Sequence, residues 1–284
     1  MAVIRGHLNS SEEVLPVTPD QVTVEWCSKA LGFAIKEFTA VEIIHGTASK
    51  ILIGLKACGD DNIADPRPDI ICVKGGFDPG VIAIYPGLNA TYRREAEFYY
   101  YIAPLVNMRL PRAWYCGSDT VSGQGIVIMD DLRSTGCTFG NPLEPWPVAR
   151  GLPVARQRQR PPAVILALLE PEPWARRYAE GERPPVPDEM LDRERMRRAF
   201  QKLWAVTDPR YHCLVHGDAH IGNTYITAAG EPGLLDWQGL AVGSAFDDVP
   251  YFIAGGLAVQ DRRSTRSGWW IITLTPWPIW AVPG

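Results

Sequence analysis

Two carboxylic acids and one carboxamide, set between short apolar runs, are the residues in this chain best suited to chemistry. Val215 and its neighbours predict a buried strand that ends at Gly217, where the chain can turn and project Asp218 into a cleft. Asn223 follows on the same loop, and Asp236 ends a second short apolar run. Hard oxygen ligands of this kind suit magnesium that carries phosphate oxygens. The pattern therefore indicates a phosphoryl-transfer site with Asp218 as the candidate base.

The same segment resembles that of the aminoglycoside kinase, choline kinase and ecdysteroid-kinase-like phosphotransferases. Their catalytic segment has the form His-Gly-Asp-x-His-x-x-Asn followed by an Asp-Trp element, and residues 216–223 and 236–238 carry all of it. The resemblance implies that Asp218 orients or deprotonates an acceptor hydroxyl, and that ATP supplies the phosphate. It also implies that Asn223 and Asp236 bind Mg²⁺.

The histidine-rich segment allows two other interpretations. It could be a polar turn that caps a strand, or a zinc centre built from His212, His216, His220 and Asp218. The chain has five histidines and none after His220, so a two-zinc hydrolase would lack later ligands. We expect His216 and His220 to support the catalytic loop through hydrogen bonds. Beyond this loop, the ecdysteroid-kinase-like pattern continues through Asp247, Asp248 and Tyr251.

A site of this type also needs a lysine on a strand and an acid on a helix. Residues 69–74 form a β-rich run that ends at Lys74, which we expect to contact the ATP phosphates, although a strand-end lysine alone is more often a solvated charge. Residues 92–102 have apolar side chains at helical spacing. Glu95 matches the family's Arg-Glu step and is the expected partner of Lys74. Glu97 points about 200° around the helix and is expected to be an ordinary first-turn acid.

Two further segments are candidates for nucleotide binding. Residues 43–51 break at Gly46 between two β-rich runs and predict a hairpin over the nucleotide, which is also what any hairpin turn would look like. Residues 125–132 predict a buried strand that runs into two acids at the position of an interlobe hinge. Backbone groups at Met129, Asp130 and Leu132 are then expected to meet adenine. Taken alone, this segment would be an edge strand with a polar exit.

The fold class expected from the resemblance is α+β, a protein-kinase-like fold of two lobes. Residues 1–132 form the small lobe with its antiparallel sheet, and residues 133–284 form a mainly helical large lobe that is truncated relative to the family. Thr18-Pro-Asp-Gln21 predicts the start of a helix that runs toward Leu31. An apolar content of 46% is enough for a large core.

Charge and cysteine content exclude several classes of protein. The formal charge of −4 comes without a dense basic run, which argues against nucleic acid as a partner. Six scattered cysteines are typical of reduced thiols in a cytoplasmic protein. There is no apolar run of the 18 or more residues that a membrane span requires.

Two stretches depart from the family pattern. Residues 150–173 are rich in arginine and proline where a helix is expected, and residues 264–284 are rich in tryptophan and proline. Our hypothesis is that both reflect shifts of the reading frame. A genuine apolar patch for a partner or a membrane surface is the alternative for residues 269–282.

The acceptor is expected to be a small hydroxylated molecule. The acidic hinge and negative charge allow a cationic acceptor such as an amino sugar or choline, whereas the ecdysteroid-kinase-like pattern allows an apolar alcohol. A catalytically inactive nucleotide-binding or scaffold remnant of the family is the alternative function.

Overall fold

The computed structural model describes residues 14–57, 67–85, 87–106, 108–147, 166, 169–179, 186–206 and 212–264. The helices are α1 (Val24–Leu31), α2 (Pro79–Ile84), α3 (Leu88–Glu97), α4 (Pro171–Ala179), α5 (Arg193–Ala205), α6 (Ala245–Gly256) and α7 (Val259–Ser264). The strands are β1 (Ile35–Ile44), β2 (Ser49–Ala57), β3 (Ile70–Gly75), β4 (Ala113–Ser118), β5 (Gly125–Asp130), β6 (Thr138–Phe139), β7 (His212–Val215), β8 (Thr224–Ile226), β9 (Pro232–Leu234) and β10 (Ala241–Ser244).

The first five strands form one antiparallel sheet in the order β1-β2-β3-β5-β4. β1 and β2 form the hairpin predicted around Gly46, with Ile44 opposite Lys50 where the turn closes. β5 lies between β3 and β4, so it is an interior strand. Its fully buried run of β-branched residues suits this position, because both of its faces are covered.

Two apolar cores cover the two faces of this sheet. One core contains side chains of α1 together with Ile53, Ile71 and Ile128. The other contains Phe98 and Tyr99, which follow α3 in a five-residue π-helical turn, together with Trp237. Because Trp237 comes from the chain beyond β9, this second core fixes the sheet to the later part of the molecule.

The first helix starts later than the sequence predicts. Thr18 precedes only a short 3₁₀ turn and makes no side-chain cap, while Gln21 accepts a hydrogen bond from a backbone N–H at 2.8 Å. α1 begins at Val24, where Thr23 Oγ1 accepts from the N–H of Trp26 at 3.2 Å. Thr23 is the N-cap because its hydroxyl accepts from an otherwise unpaired N–H of the first turn.

The later part of the chain combines helices with two small antiparallel sheets. β6, β8 and β9 form one sheet, and β7 pairs with β10 to form the other. A third core of Trp146, Ile221 and Phe252 lies beneath them. The α+β class with a separate antiparallel-sheet lobe is thus confirmed, whereas the lobe boundary at Leu132 stays a prediction.

The two departures from the family pattern fall mostly outside the described residues. Of the first, only residue 166 and residues 169–173 are described, and these last lead into α4; of the second, only Ser264 is described. The frame-shift hypothesis and the apolar-patch alternative therefore stay predictions. Within the described ranges, no helix has the length and apolar content needed to cross a bilayer.

Candidate active site

Lys74 is held between two carboxylates in the interior. Its Nζ lies 2.8 Å from Glu95 Oε1 and 2.7 Å from Glu95 Oε2. The same ammonium donates to Asp236 Oδ1 at 2.9 Å. The side chains of Lys74 and Glu95 are each 3% exposed, and that of Asp236 is 22% exposed. The strand, the helix and the segment after β9 therefore meet at a single buried ammonium group.

The charged groups of this cluster shift one another's pKa values. Burial lowers the pKa of Lys74, but the attraction of Glu95 and Asp236 outweighs burial and leaves the pKa above its ordinary value. Burial raises the pKa of Asp236. This effect is outweighed by Lys74, Lys50 and Gln238, which bring the pKa below its ordinary value. Burial raises the pKa of Glu95 against the pull of Lys74. Because Glu95 accepts from both Lys74 and the backbone N–H of Trp237, the ionised form is the one its partners require.

The backbone at Asp236 is left-handed, with φ 68° and ψ 61°, and it is the one described non-glycine residue with positive φ. Three contacts stabilise this unusual conformation. The N–H of Trp237 donates to Glu95 Oε1 at 3.1 Å, and Gln238 Nε2 donates to Asp236 Oδ1 at 2.6 Å. The Trp237 ring stacks on Phe98 with centroids 4.0 Å apart. The turn at Asp236 is therefore fixed by its neighbours.

Helix α3 contacts this turn and the hairpin as well as Lys74. Arg94 Nη1 donates to the carbonyl of Gln238 at 3.1 Å. The hydroxyl of Tyr92, a buried residue two positions before Arg94, donates to the carbonyl of Thr47 in the β1–β2 turn at 2.5 Å. Neither contact could be predicted from the sequence of the helix, because Thr47 and Gln238 are distant from it in sequence.

The loop after β7 is supported by the ring of His216, which is completely buried. Its Nε2 lies 2.9 Å from the carbonyl of Leu235, and its Nδ1 accepts from the N–H of Asp218 at 3.3 Å. These partners require a neutral ring with the proton on Nε2. Burial lowers the pKa of His216, which favours the same neutral form.

Asp248, at the start of α6, fastens the loop from the other side. Its carboxylate accepts from the N–H of His216 at 2.5 Å and from the N–H of Gly217 at 3.0 Å. Gly217 has φ 77°, and a Cβ there would lie 2.2 Å from the carbonyl oxygen of Gly239. In the sequence, Asp248 is recognised only as part of a family pattern, and no contact was predicted for it. Its partners lie 31 and 32 residues away, so its contacts depend on the fold.

Asp218 itself is 37% exposed, and His220 Nε2 lies 3.8 Å from its Oδ2. Asn223 Nδ2 donates to the carbonyl of Asp218 at 2.9 Å, which orients the amide and leaves its oxygen available as a ligand. The N–H of Leu235 donates to the carbonyl of Asn223 at 3.0 Å. This backbone contact brings Asn223 beside the segment that carries Asp236.

The donor set fits a hard cation better than zinc. In Asp236, Oδ1 already accepts from Lys74 and Gln238, so Oδ2 is the atom left for a metal. With the Asn223 oxygen it gives two oxygen ligands of the kind that Mg²⁺ prefers. No group of three or more His, Cys, Asp or Glu side chains among the described residues has the arrangement of a metal site. Both ring nitrogens of His216 are engaged, which further disfavours the zinc interpretation.

An open cleft adjoins Lys74. It is lined by Ile44, Lys50, Leu52, Cys72, Lys74, Glu95, Pro111, Met129, Asp130, Asp131, Leu132, Arg133, Phe139, Leu235 and Asp236. The predicted hinge residues Met129, Asp130 and Leu132 are thus on its wall. Gly46 is not; it lies in the exposed turn between β1 and β2.

Comparison with known proteins gives the following matches. Residues 81–267 match the family model described as the phosphotransferase enzyme family. No curated relative matches the sequence. Several solved structures are similar to this chain, and three of them, all of low identity, are as follows. Choline kinase LicA from Streptococcus pneumoniae is 13% identical with a TM-score of 0.44, and the match covers 88% of this chain and 79% of that one. Macrolide 2'-phosphotransferase MphH from Brachybacterium faecium is 16% identical with a TM-score of 0.44, covering 89% and 83%. Aminoglycoside 2'-phosphotransferase-IIIa, solved as a GDP complex, is 14% identical with a TM-score of 0.40, covering 86% and 82%.

The family match spans well over half of the chain, and it includes Glu95, the loop that carries Asp218 and the turn at Asp236. On this match, the chain belongs to the phosphotransferase enzyme family.

Proposed function

We propose that this protein transfers the γ-phosphoryl group of MgATP to a hydroxyl of a small molecule. The observation that carries the proposal is the meeting of Lys74, Glu95 and Asp236 at one end of a cleft, next to the loop that bears Asp218. Phosphoryl transfer needs little covalent chemistry from a protein, and most of the catalysis comes from positioning and charge. A fixed ammonium group beside two carboxylates is suited to that task.

Lys74 would contact the phosphates, and Glu95 would hold it in place. The backbone of Met129, Asp130 and Leu132, on and just beyond the strand that pairs with the Lys74 strand, would meet the adenine. Gly46, in the turn beyond Ile44 and Lys50, would belong to the cover over the nucleotide. Apolar residues such as Ile44, Leu52 and Met129 would pack against a flat base, while Lys50 and Lys74 would face a charged tail.

Asn223 and Asp236 would hold Mg²⁺ through Asn223 Oδ1 and Asp236 Oδ2. When bound, the ion would neutralise charge on the phosphate oxygens. The hydrogen bond from Asn223 to the carbonyl of Asp218 orients the amide of Asn223. The left-handed turn and its three contacts orient Asp236.

Asp218 would accept the proton of the acceptor hydroxyl. Its backbone is held by His216 and Asn223, while its carboxylate remains partly exposed to an incoming molecule. His220, 3.8 Å from that carboxylate, and His216 would support the loop. The acceptor is then a small molecule whose hydroxyl can reach Asp218.

Thermal unfolding with and without MgATP tests the nucleotide part of this proposal. Ligand at 100 times its dissociation constant adds about 2.7 kcal/mol, or roughly 5–10 °C in Tm for a chain of this size. We expect this rise to need Mg²⁺ and to be lost in Asp236→Ala. The exposed Asp20→Ala is the matched control and should keep it. An unchanged Tm in the wild-type chain would overturn the proposal.

Hydrolysis of ATP above background, abolished by Asp236→Ala, would then separate an active enzyme from an inactive nucleotide-binding remnant. A screen of amino sugars, choline and apolar alcohols by ADP release would follow. If nucleotide binds but neither hydrolysis nor transfer is detected, the remnant interpretation is correct for this chain.

A further inference from the structure

Lys50 and Lys74 lie directly opposite each other in the β2–β3 ladder. Directly paired residues of antiparallel strands project to the same face of a sheet, with Cβ atoms about 4.5–5.5 Å apart. Both lysines line the cleft next to Asp236. The sheet therefore presents two positive side chains side by side at the end of the cleft proposed to hold phosphate.

Of these two lysines, Lys74 alone is ion-paired among the described residues, although Lys50 also attracts Asp236 and helps to lower its pKa. Lys74 has Glu95 and Asp236 as partners at 2.7 and 2.9 Å. Lys50 forms no ion pair with any other residue in the part of the chain that the structure describes. By contrast Lys56, six residues further along the same strand, has Glu37 at 2.6 Å. Like charges in directly opposed positions repel each other, and Asp236 offsets part of this repulsion. A phosphate beside Lys50 would supply the ion pair that the described residues do not give it.

The backbone that carries Lys50 is held in place. The preceding residues Ala48 and Ser49 are buried, with 3% and 4% exposure. Immediately before Ala48, the Thr47 carbonyl accepts from the hydroxyl of Tyr92 on α3. A Cβ at Gly76 would lie 2.3 Å from the Tyr92 ring, so the ring is tightly enclosed. Lys50 thus extends from a fixed point above the cleft.

We propose that Lys50 is a second phosphate-binding cation, which lies beside Lys74 and contacts the phosphates of the nucleotide. This inference rests on the proposed function. A polyphosphate beside the two ammonium groups would offset their repulsion and give Lys50 an ion-paired partner. Lys74 is shared with two carboxylates, whereas Lys50 has no ion-paired carboxylate among the described residues. The contribution of Lys50 should therefore grow with the number of phosphates.

Calorimetric affinities of the full chain for MgATP, MgADP, AMP and adenosine test this inference. In Lys50→Met we expect the dissociation constant of MgATP to rise about 10- to 30-fold, the size of one hydrogen bond to a charged group. The effect should be smaller for MgADP and less than about twofold for adenosine. Lys56→Met is the matched control from the same strand and should bind as wild type does. Lys50→Arg should recover most of the affinity.

Thermal unfolding without nucleotide separates binding from folding. Lys50→Met removes both the repulsion from Lys74 and the attraction to Asp236, so its Tm without nucleotide should differ little from that of wild type. Unchanged MgATP affinity in Lys50→Met would overturn the inference about Lys50 but leave the proposed function intact. An equal loss of affinity for MgATP and adenosine would also overturn it, because it would indicate a general change in the cleft. A wild-type chain that binds no nucleotide would overturn the proposed function and the role of Lys50 together.

Discussion

Replacing Glu95 with glutamine removes one charge from the buried cluster while keeping the shape of the side chain. The amide oxygen can still accept from Lys74 and from the N–H of Trp237. Lys74 would keep Asp236 at 2.9 Å as its one charged partner. The expected result is a chain that folds with lower stability and binds MgATP more weakly, because Lys74 is less firmly held.

The geometry sets the size of the effect. At 2.7 Å and an effective dielectric constant near 20, the attraction between Lys74 and Glu95 is about 6 kcal/mol. Part of this is offset because a neutral amide is less costly to bury than a carboxylate, and removal of one partner of a buried pair typically costs about 3–5 kcal/mol. Since Asp236 remains, we expect the free energy of unfolding to fall by about 3 kcal/mol, which corresponds to roughly 6–12 °C in Tm.

Urea unfolding of Glu95→Gln against Glu97→Gln measures this directly. Glu97 lies on the same helix but is 37% exposed and pairs with Arg93 at 3.1 Å. Exposed pairs contribute at most about 1 kcal/mol, so Glu97→Gln should cost less than that. Equal losses in the two variants would refute the reasoning, since burial would then make no difference to the value of the pair.

Three further predictions concern the loop and the hairpin. Asp218→Asn should lower kcat by about 10²- to 10⁴-fold with MgATP affinity kept, measured by single turnover and calorimetry; full turnover would contradict its role as base. Tyr92→Phe should speed hydrogen exchange in the β1–β2 turn and lower stability by about 1 kcal/mol, unlike Tyr101→Phe, whose ring is exposed; unaltered exchange would mean that the hydroxyl does not fix the turn. The pKa of His216 is lowered in the fold, so stability should fall as pH drops from about 6.5 toward that lower pKa, because only the unfolded chain takes up the proton. Tm between pH 7.5 and 5.5 should be flatter in His216→Gln, and an equal slope would assign the effect to other groups.

Local patterns predicted the elements around the site. A β-rich run ending at Lys74 and a helical pattern around Glu95 were enough to predict the strand and the helix, because both signals repeat over several residues. The motif order also indicated that Asp218 and Asn223 share a loop. The roles assigned to these residues stay predictions.

The contacts that fix the site were not predictable from local patterns. The predicted start of α1 was wrong because Thr18 and Thr23 are both possible N-caps, and only the fold decides between them. The opposition of Lys50 and Lys74 depends on strand register, which a sequence does not state. The two hydrogen bonds of Asp248 depend on the position of α6 against β7.

The contact between Gly217 and Gly239 has a consequence for how such a protein can diversify. The loop of Asp218 and the turn of Asp236 meet through main-chain atoms, so closely that no side chain fits between them. Their separation is therefore set by peptide geometry, which substitutions at other positions leave in place. Substitutions in the surrounding helices can therefore change what lies around the loop and the turn without altering the distance between them.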